Sequence, residues 1–516
     1  MTTGEIRHSP LPAALGSEEE SMLMVGMATS KEAAMRAYLT HPVNFIDNIP
    51  KYLPKSIKSS GGWRNYLQNG GLIYDGTHCD GELGNLECAT PECVTPVQVN
   101  TYIQASERLI VDALQSYVEK EDSGDYGMFA RWHRRVVDAY GTSKASHDNF
   151  GMSEEWLESV GSYGLERLLI GQFASRSLLT GAGLVTPAGY FAAQKTHTVS
   201  SVRDYGYVSS AYRIASEDET GPRLEVRCSD INISPWATQV RLGSMSMLMA
   251  AAQTELADKL LTIVPGVVDD TDAVNMIRGS GRVSVDPETL AVKLSPPALK
   301  EIDVQEQLAS LYADALGKYI ELPPELRDIA VEVIQYCQDI RRVHEGQAPL
   351  SVLADRSDFA AKLLLITQSI RRDRADGITR KLGDITSRMQ DMRYDMIFVA
   401  SSDLNGTTSP SVRYGAGFKL RDSGHFRLTI PTAAVEHAYY RPPKETRAYT
   451  RGELIRRGVA DVASWSDVAI PKGASEDLQE VFSLGDVLDS TASSGEIDKL
   501  THDAALRAKQ PAKLFS

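Results

Sequence analysis

Apolar residues recur along this chain at two spacings, which together predict helices and strands. Between residues 102 and 117 they lie three or four positions apart with a polar opposite face, as in a helix packed against a core. The segment 325–343 shows the same spacing and follows a pair of prolines, which favour a helix start. Leu72-Ile73-Tyr74 is typical of a strand, and residues 223–227 alternate charged and apolar side chains as a strand does.

Composition changes along the chain predict how it is divided. A polar, turn-rich stretch after residue 400, with Asn405-Gly406 and Pro410, is typical of a linker or an inserted loop. Both ends of the chain have little apolar pattern. We therefore expect a tail over residues 1–15, a large domain over 16–400, a small domain over 401–480 and a polar tail over 481–516.

Charge and composition exclude several classes of protein. The 516 residues carry a formal net charge of −14, whereas general nucleic-acid binding needs a basic surface, so we expect no nucleic-acid partner. No apolar run approaches the roughly 18 residues of a membrane span, and five cysteines in so long a chain are no disulfide framework. We expect a cytoplasmic protein with no membrane partner.

One stretch, from Asn69 to Cys93, concentrates residue types that carry chemistry. It holds carboxylates, a tyrosine, a histidine and three cysteines, and a strand leads into it. Residues i and i+2 of a strand share one face, so such a segment can aim several oxygens at one cleft. The alternative is a surface hairpin with solvated acids. Cys88 and Cys93 have no second pair at zinc spacing, which argues against zinc.

Two further segments carry candidate ligands. If their segment forms a strand, Glu18 and Glu20 share one face, and carboxylates so close repel each other unless a cation lies between them. Hard oxygen ligands favour Mg²⁺, although an acidic loop or helix start is the simpler interpretation. His147 and Asn149 lie in a polar, glycine-flanked segment and could contact metal or phosphate, whereas a lone histidine is usually structural.

The chain contains no phosphate-binding loop of the two common types. Neither G-x-x-x-x-G-K-[ST] nor G-x-G-x-x-G occurs, and Gly181-Ala182-Gly183 resembles neither. If ATP binds, a Walker or Rossmann site is therefore not the means.

Six short motifs follow one another along the chain. They are Gly16 to Glu20, Asn69-Gly70 with Glu87 to Cys93, Ser146 to Asn149, Gly181 to Gly183, Arg223 to Ser234, and Pro442 to Ala448. In this order and at comparable spacing, they resemble the Pup ligase/depupylase family over nearly the whole chain. That family shares the fold of the glutamine-synthetase-like carboxylate-amine ligases.

The resemblance implies an α+β fold and a set of site residues. The expected architecture is a large domain with a curved antiparallel sheet flanked by helices, carrying ATP and Mg²⁺, plus a small C-terminal domain that completes the nucleotide site. Tyr74 and an aspartate would be catalytic. The implied metal ligands are Glu18, Glu20, Glu87 and Glu225, and the implied nucleotide contacts are His147, Asn149, Arg223, Asp230, Asn232, Ser234 and Arg447.

The chain departs from the family pattern near the catalytic aspartate. The family places it two residues after the tyrosine, whereas here Asp75 directly follows Tyr74 and Asp80 lies in a short insertion before Glu87. We expect Asp75 to be the general base, because a bulge near Gly76 could restore its direction. Asp80 is the alternative. The family histidine is replaced by Glu225, which is still able to bind metal.

The resemblance predicts an ATP-dependent carboxylate-amine ligase that forms an amide or isopeptide bond through an acyl phosphate. Its partners would be a glutamyl or other carboxylate donor, either a Pup-like small protein or a small molecule, and an amine acceptor. A depupylase- or deamidase-like hydrolase is one alternative, and an inactive scaffold that binds a Pup-like protein or nucleotide is another. The short spacing from Glu20 to Asn69 leaves no room for the long depupylase loop, which favours the ligase.

Overall fold

The structure is a computed structural model, and the description covers most of the chain between residues 11 and 484. The described residues are 11–12, 14–28, 43–60, 64–76, 85–121, 127–137, 143–152, 162–203, 210–215, 223–267, 269–401, 411–428, 430–458, 461–462, 465, 467–471 and 479–484. The predicted tails therefore lie largely outside the described residues.

The described chain forms strands, α-helices and two short 3₁₀ helices. The strands are β1 (Leu15–Ala28), β2 (Arg64–Tyr66), β3 (Leu72–Asp75), β4 (Asn85–Ala89), β5 (Gly127–His133), β6 (Ser146–Gly151), β7 (Leu184–Thr186), β8 (Gly189–Phe191), β9 (Ser201–Arg203), β10 (Ser210–Ala215), β11 (Arg223–Ser229), β12 (Arg282–Val285), β13 (Val292–Leu294), β14 (Met396–Ser401), β15 (Ser411–Tyr414), β16 (Asp461–Val462), β17 (Asp467–Pro471) and β18 (Gln479–Ser483).

The helices cluster between and after these strands. They are α1 (Val43–Asp47), α2 (Ile49–Tyr52), α3 (Pro96–Lys120), α4 (Ser162–Ser175), α5 (Ser177–Thr180), α6 (Pro235–Ala251), α7 (Ala257–Ile263), α8 (Asp270–Gly279), α9 (Pro296–Asp314), α10 (Pro324–Glu345), α11 (Ser351–Ala354), α12 (Asp358–Ala375), α13 (Ile385–Asp395), α14 (Ala416–Asp422), α15 (Thr432–Tyr440) and α16 (Ala448–Arg457). The 3₁₀ helices are Lys195–Thr198 and Leu316–Lys318.

A large sheet organises the fold, and β1 is its central strand. The sheet runs in the order β15-β14-β5-β1-β6-β11-β10-β9, and β4, β3 and β2 branch from β1. The first half of β1 pairs with β4 and β6, and its second half pairs with β5, all antiparallel. The described part of the chain also contains a four-stranded sheet of β7, β8, β12 and β13 and a three-stranded sheet of β16, β17 and β18.

Helices cover one face of the large sheet. The long helix α3 contacts β1, β4, β5 and β14, and its N-terminus is capped by Thr95, whose hydroxyl oxygen accepts a hydrogen bond from the Gln98 amide. Every residue of α6 is buried beneath the sheet. Leu23 and Val25 of β1 face this core. Alternation then sends Glu18 and Glu20 to the other face.

The architecture confirms the α+β class expected from the sequence. The predicted helices over 102–117 and 325–343 lie in α3 and α10, and the predicted strands are β3 and β11. The expected boundary near residue 400 falls in β14, which pairs with β15 at the edge of the large sheet, so the division into domains stays a prediction. Among the described residues, no helix is both long and apolar enough to span a membrane.

Buried ion pairs join the helix-covered face of the sheet to α6. Arg241 is fully buried, and its guanidinium lies 3.2 Å from Glu19 Oε1 and 3.1 Å from Asp148 Oδ2. Arg134 contacts the other oxygen of Glu19 at 2.7 Å. Arg241 thus ties β1, which carries Glu19, and β6, which carries Asp148, to the same helix.

We predict that Arg241→Ala lowers the free energy of unfolding by about 3–5 kcal/mol, because it removes the buried positive charge that pairs with both Glu19 and Asp148. The midpoint of urea denaturation measures this loss. Arg341→Ala is the control, since Arg341 pairs with Asp303 at the surface, where such pairs contribute about 0–1 kcal/mol. Equal midpoints for the two variants would contradict the prediction.

Candidate active site

The open face of the large sheet brings together acidic side chains from neighbouring strands. Glu18 and Glu20 lie two positions apart on β1 and therefore on the same face. In the strand register, Glu18 is opposite His147 of β6, and Glu20 is opposite Glu87 of β4. Directly opposite residues share a face, so the pairing alone brings these four side chains together.

His147 lies at the centre of this acidic cluster. Its Nδ1 is 3.5 Å from Glu18 Oε2 and 3.6 Å from Glu225 Oε1, and its Nε2 is 3.5 Å from Glu20 Oε1. Burial alone would lower the pKa of His147, but the charge on Glu20, the hydrogen bond to Glu18 and the charge on Glu225 outweigh it and raise this pKa to about 9. The imidazole is therefore protonated at neutral pH and supplies the cation that the carboxylates require.

Tyr74 of β3 links two of these carboxylates. Its hydroxyl donates a hydrogen bond to Glu18, and it also hydrogen-bonds Glu87, which lies opposite it in the β3–β4 register. Burial, followed by the charges of Glu18 and Glu87, raises the pKa of Tyr74 well above its ordinary value. Tyr74 therefore keeps its proton and acts as a donor between two carboxylates.

Strand β11 adds a carboxylate and two arginines to the same face. Glu225 lies opposite Asn149, and its carboxylate is 3.2 Å from Arg227 Nε and 3.8 Å from Arg223 Nη2. Arg223 Nε also donates a 2.9 Å hydrogen bond to Asn149 Oδ1. Arg227 is not among the site residues expected from the sequence. It lies at the same two-residue spacing as Arg223 and Glu225, and this spacing could have identified it.

The donor set fits Mg²⁺ in chemical type. Three carboxylates, those of Glu18, Glu20 and Glu225, lie around the His147 imidazole, and Glu87 is opposite Glu20. Such hard oxygens are the ligands that Mg²⁺ prefers. Within the ranges that the structure describes, no three side chains already converge as a metal site does. The His147 ring lies within 3.6 Å of three of these carboxylates.

The two candidate bases are placed differently. The β3–β4 register is regular from Leu72 to Asp75, so it has no bulge there, and Asp75 lies opposite Leu86 on the face away from Tyr74. The Asp75 side chain is 0% exposed. The proposed role of Asp75 as general base needs a bulge that turns its side chain to the face of Tyr74, and the regular register contains none from Leu72 to Asp75. This role stays a prediction. Asp80 lies outside the described residues.

Three residues expected at the nucleotide have structural contacts. Asp230 accepts hydrogen bonds of 2.6–2.8 Å from three backbone amides of the segment 182–195. Asn232 donates to Thr180 O at 2.9 Å, and Ser234 caps the N-terminus of α6. All three side chains are buried. Asp230 and Asn232 hold the segment around Gly181 to Gly183 in place, and Ser234 begins α6. The assignment of all three to the nucleotide stays a prediction.

Arg447 lies at a joint between the C-terminal helix α16 and the central stretch. Its Nε donates a 2.9 Å hydrogen bond to Glu92 Oε1, and its side chain is 4% exposed. Arg451 donates to Glu92 Oε2 at 2.6 Å and to Gly70 O at 2.9 Å. Gly70 has a φ of +85°, and a Cβ there would lie 3.1 Å from the Cβ of Ala448. Residues of two sequence motifs thus meet Arg451 in one docking contact.

The C-terminal segment covers part of the same open face. Tyr66, Leu72 and Tyr74 form a small apolar cluster with Ile455 of α16, and Trp465 packs against it. The rings of Tyr66 and Trp465 meet edge to face, with centroids 5.6 Å apart. The C-terminal segment therefore forms a wall beside Tyr74 and the acidic cluster.

Comparison with known proteins identifies the family of this chain. The sequence model of the family described as Pup-ligase protein matches residues 18–469. A depupylase of Acidothermus cellulolyticus is 24% identical, over 84% of this chain and 82% of its own length. A Pup–protein ligase of Acidimicrobium ferrooxidans is 25% identical, over 80% of this chain and 84% of its own. Both activities therefore occur among similar proteins.

Solved structures share the fold. The ligase PafA in complex with the prokaryotic ubiquitin-like protein Pup aligns with a TM-score of 0.70 and 19% identity, covering 98% of this chain and 93% of that one. PafA in complex with ADP aligns with a TM-score of 0.62 and 19% identity, covering 87% and 91%. With a family match over most of its length and this fold, the chain belongs to the Pup-ligase protein family.

Proposed function

We propose that this protein is an ATP-dependent carboxylate-amine ligase that forms an amide or isopeptide bond through an acyl phosphate. Membership of the Pup-ligase protein family supports an ATP-dependent ligase, and the ADP complex of a structural relative supports nucleotide use. The observation that carries the proposal is the cluster of three carboxylates around His147, with Glu87 linked to it through Tyr74, beside two arginines on one sheet face.

The residues of this cluster suit phosphoryl transfer to a carboxylate. Glu18, Glu20, Glu87 and Glu225 would hold Mg²⁺, which when bound neutralises charge on phosphate oxygens. The donor carboxylate would attack the terminal phosphorus of ATP, the bond from that phosphorus to ADP would break, and ADP would leave. Arg223 would donate hydrogen bonds to the phosphate oxygens during this step. Tyr74 keeps Glu18 and Glu87 oriented through its hydrogen bonds with both carboxylates.

The proposed carboxylate donor is a small Pup-like protein, and the acceptor is an amine. The complex of the structural relative PafA with Pup supports this choice of donor over a small molecule, since the alignment covers nearly all of both chains. Once the acyl phosphate has formed, the amine attacks its carbonyl carbon and phosphate leaves. The ammonium proton must then pass to a nearby base, which is the proposed role of an aspartate.

A hydrolase acting on the same site is the second candidate. It would cleave an isopeptide bond or deamidate a glutamine, and the similarity to depupylases supports it. The short connection between Glu20 and Asn69 favours the ligase. An inactive scaffold that binds nucleotide or a Pup-like protein is the third candidate, and the burial of Asp75 is the observation in its favour.

We predict that Glu18→Gln abolishes Mg²⁺-dependent ATP binding without unfolding the protein, because it removes the charge of a carboxylate that contacts His147 through one oxygen and Tyr74 through the other. Isothermal calorimetry with ATP and Mg²⁺ measures the binding, and thermal melting reports on the fold. Glu288→Gln, which changes an exposed carboxylate, should bind like the wild type. Full affinity in Glu18→Gln would remove the basis of the proposed metal site.

We predict that Arg447→Ala weakens nucleotide binding by about 1.5–3 kcal/mol, the usual scale for a hydrogen bond to a charged group. Calorimetry with ADP and Mg²⁺ gives the value. Arg441→Ala is the control, because Arg441 forms a half-exposed pair with Glu453 in the same segment. If both variants bind ADP as the wild type does, Arg447 serves only the docking contact with Glu92.

We predict that Asp80→Asn lowers product formation by about 10²–10⁴-fold while ATP binding persists, because a ligase needs its base only when the amine attacks. Asp75→Asn should change product formation less, since Asp75 faces the helices. Single-turnover assays that follow ADP and amide product separate the two steps. The reverse ranking would identify Asp75 as the base. Amide cleavage without ATP-driven ligation in the wild type would establish the hydrolase instead.

A further inference from the structure

Gly76 makes room for a pair of side chains beside the acidic cluster. It follows the last residue of β3, so alternation puts position 76 on the same face as Tyr74. Its N–H donates a 2.9 Å hydrogen bond to Asn85 O. A Cβ built on Gly76 would overlap Glu87 Oε1 and Asn85 Nδ2. Only glycine fits here while these two side chains keep their positions.

Asn85 is the partner of Glu87 in this space. Its Nδ2 donates a 2.7 Å hydrogen bond to Glu87 Oε1, and its side chain is 0% exposed. Among the described residues, Asn85 Oδ1 has no hydrogen-bond partner. The opposite orientation of the amide would set this oxygen against the carboxylate, so the contact with Glu87 determines the orientation. A buried oxygen without a hydrogen-bond partner is unfavourable, and the fold tolerates it here.

Glu87 is thereby held from two directions. Asn85 donates to it from the same strand, and Tyr74 hydrogen-bonds it from the neighbouring strand. Across β1 it lies opposite Glu20. With both donors in place, the Glu87 carboxylate has a defined direction within the acidic cluster.

We propose that Asn85 is a positioning residue that orients Glu87 as a ligand of Mg²⁺, in the space that Gly76 leaves open. The inference rests on the proposed function, in which Glu87 binds the metal. A neutral amide suits this task, because it donates a hydrogen bond without adding another negative charge to four carboxylates. Groups that orient metal ligands in this way usually affect metal affinity by about 10–100-fold.

The test compares Asn85→Ala with a control asparagine in the same sheet. Asn65 of β2 is equally buried, its Nδ2 donates to Ile46 O at 3.1 Å, and its Oδ1 also has no partner within the described ranges. Asn65→Ala therefore removes a similar buried amide away from the carboxylates. ADP binding is measured by calorimetry at increasing Mg²⁺ concentration, and thermal melting of the metal-free proteins is measured in parallel.

We expect Asn85→Ala to need about 10–100-fold more Mg²⁺ for half-maximal ADP binding, whereas Asn65→Ala should need the same concentration as the wild type. Both should melt at lower temperature than the wild type. If Asn85→Ala changes only the melting temperature, as Asn65→Ala does, Asn85 is structural and the inference is overturned. Wild-type protein without Mg²⁺-dependent ADP binding would overturn the proposed function itself.

Gly76→Ala supplies a second, independent variant. Its added methyl group would displace Glu87 and Asn85, so we expect a similar loss of Mg²⁺ affinity. If both residues act through Glu87, the double variant Gly76→Ala/Asn85→Ala should lose little more than the worse single variant. Losses that multiply in full would show that the two positions act independently, which would contradict the proposal.

Discussion

Repulsion among buried carboxylates is the constraint on which the open face of the sheet depends. Glu18, Glu20 and Glu225 each approach the protonated ring of His147, whose positive charge offsets the repulsion between them. This is also the situation that a bound divalent cation resolves. The same charge concentration thus determines how the face is held together and what chemistry it can support.

Side chains alternate between the two faces of β1, and this alternation separates two groups of ion pairs. Even-numbered acids of β1 face the open side, and Glu19 faces the helices, where Arg134 and Arg241 bind it. The arginines on the helix-covered side are fully committed to protein partners, so they fix the strands without reaching substrate. The open side keeps Arg223 and Arg227 partly exposed beside Glu225. One face therefore carries the ion pairs that hold the strands in place, and the other carries the residues of the proposed site.

The C-terminal segment is coupled to the site through Glu92. Arg447 and Arg451 share its carboxylate, and Arg451 also binds Gly70 O at the start of the strand that carries Tyr74. Burial opposes ionisation of Glu92, but these two arginines lower its pKa, so the carboxylate stays charged. The motif around Arg447, which is expected to contact nucleotide, thus also fixes the C-terminal segment beside Tyr74.

The sequence by itself determined the fold class, the long helices, the strand alternation at Glu18 and Glu20 and the resemblance to the family, because periodicity and motif order are local properties of the chain. Only the tertiary structure decided that Asp230 binds backbone amides, that Asp75 faces the helices and that Asn85 reaches Glu87. These outcomes depend on strand register and on which segments pack together. Both arise from contacts between residues distant in sequence, which no local pattern contains.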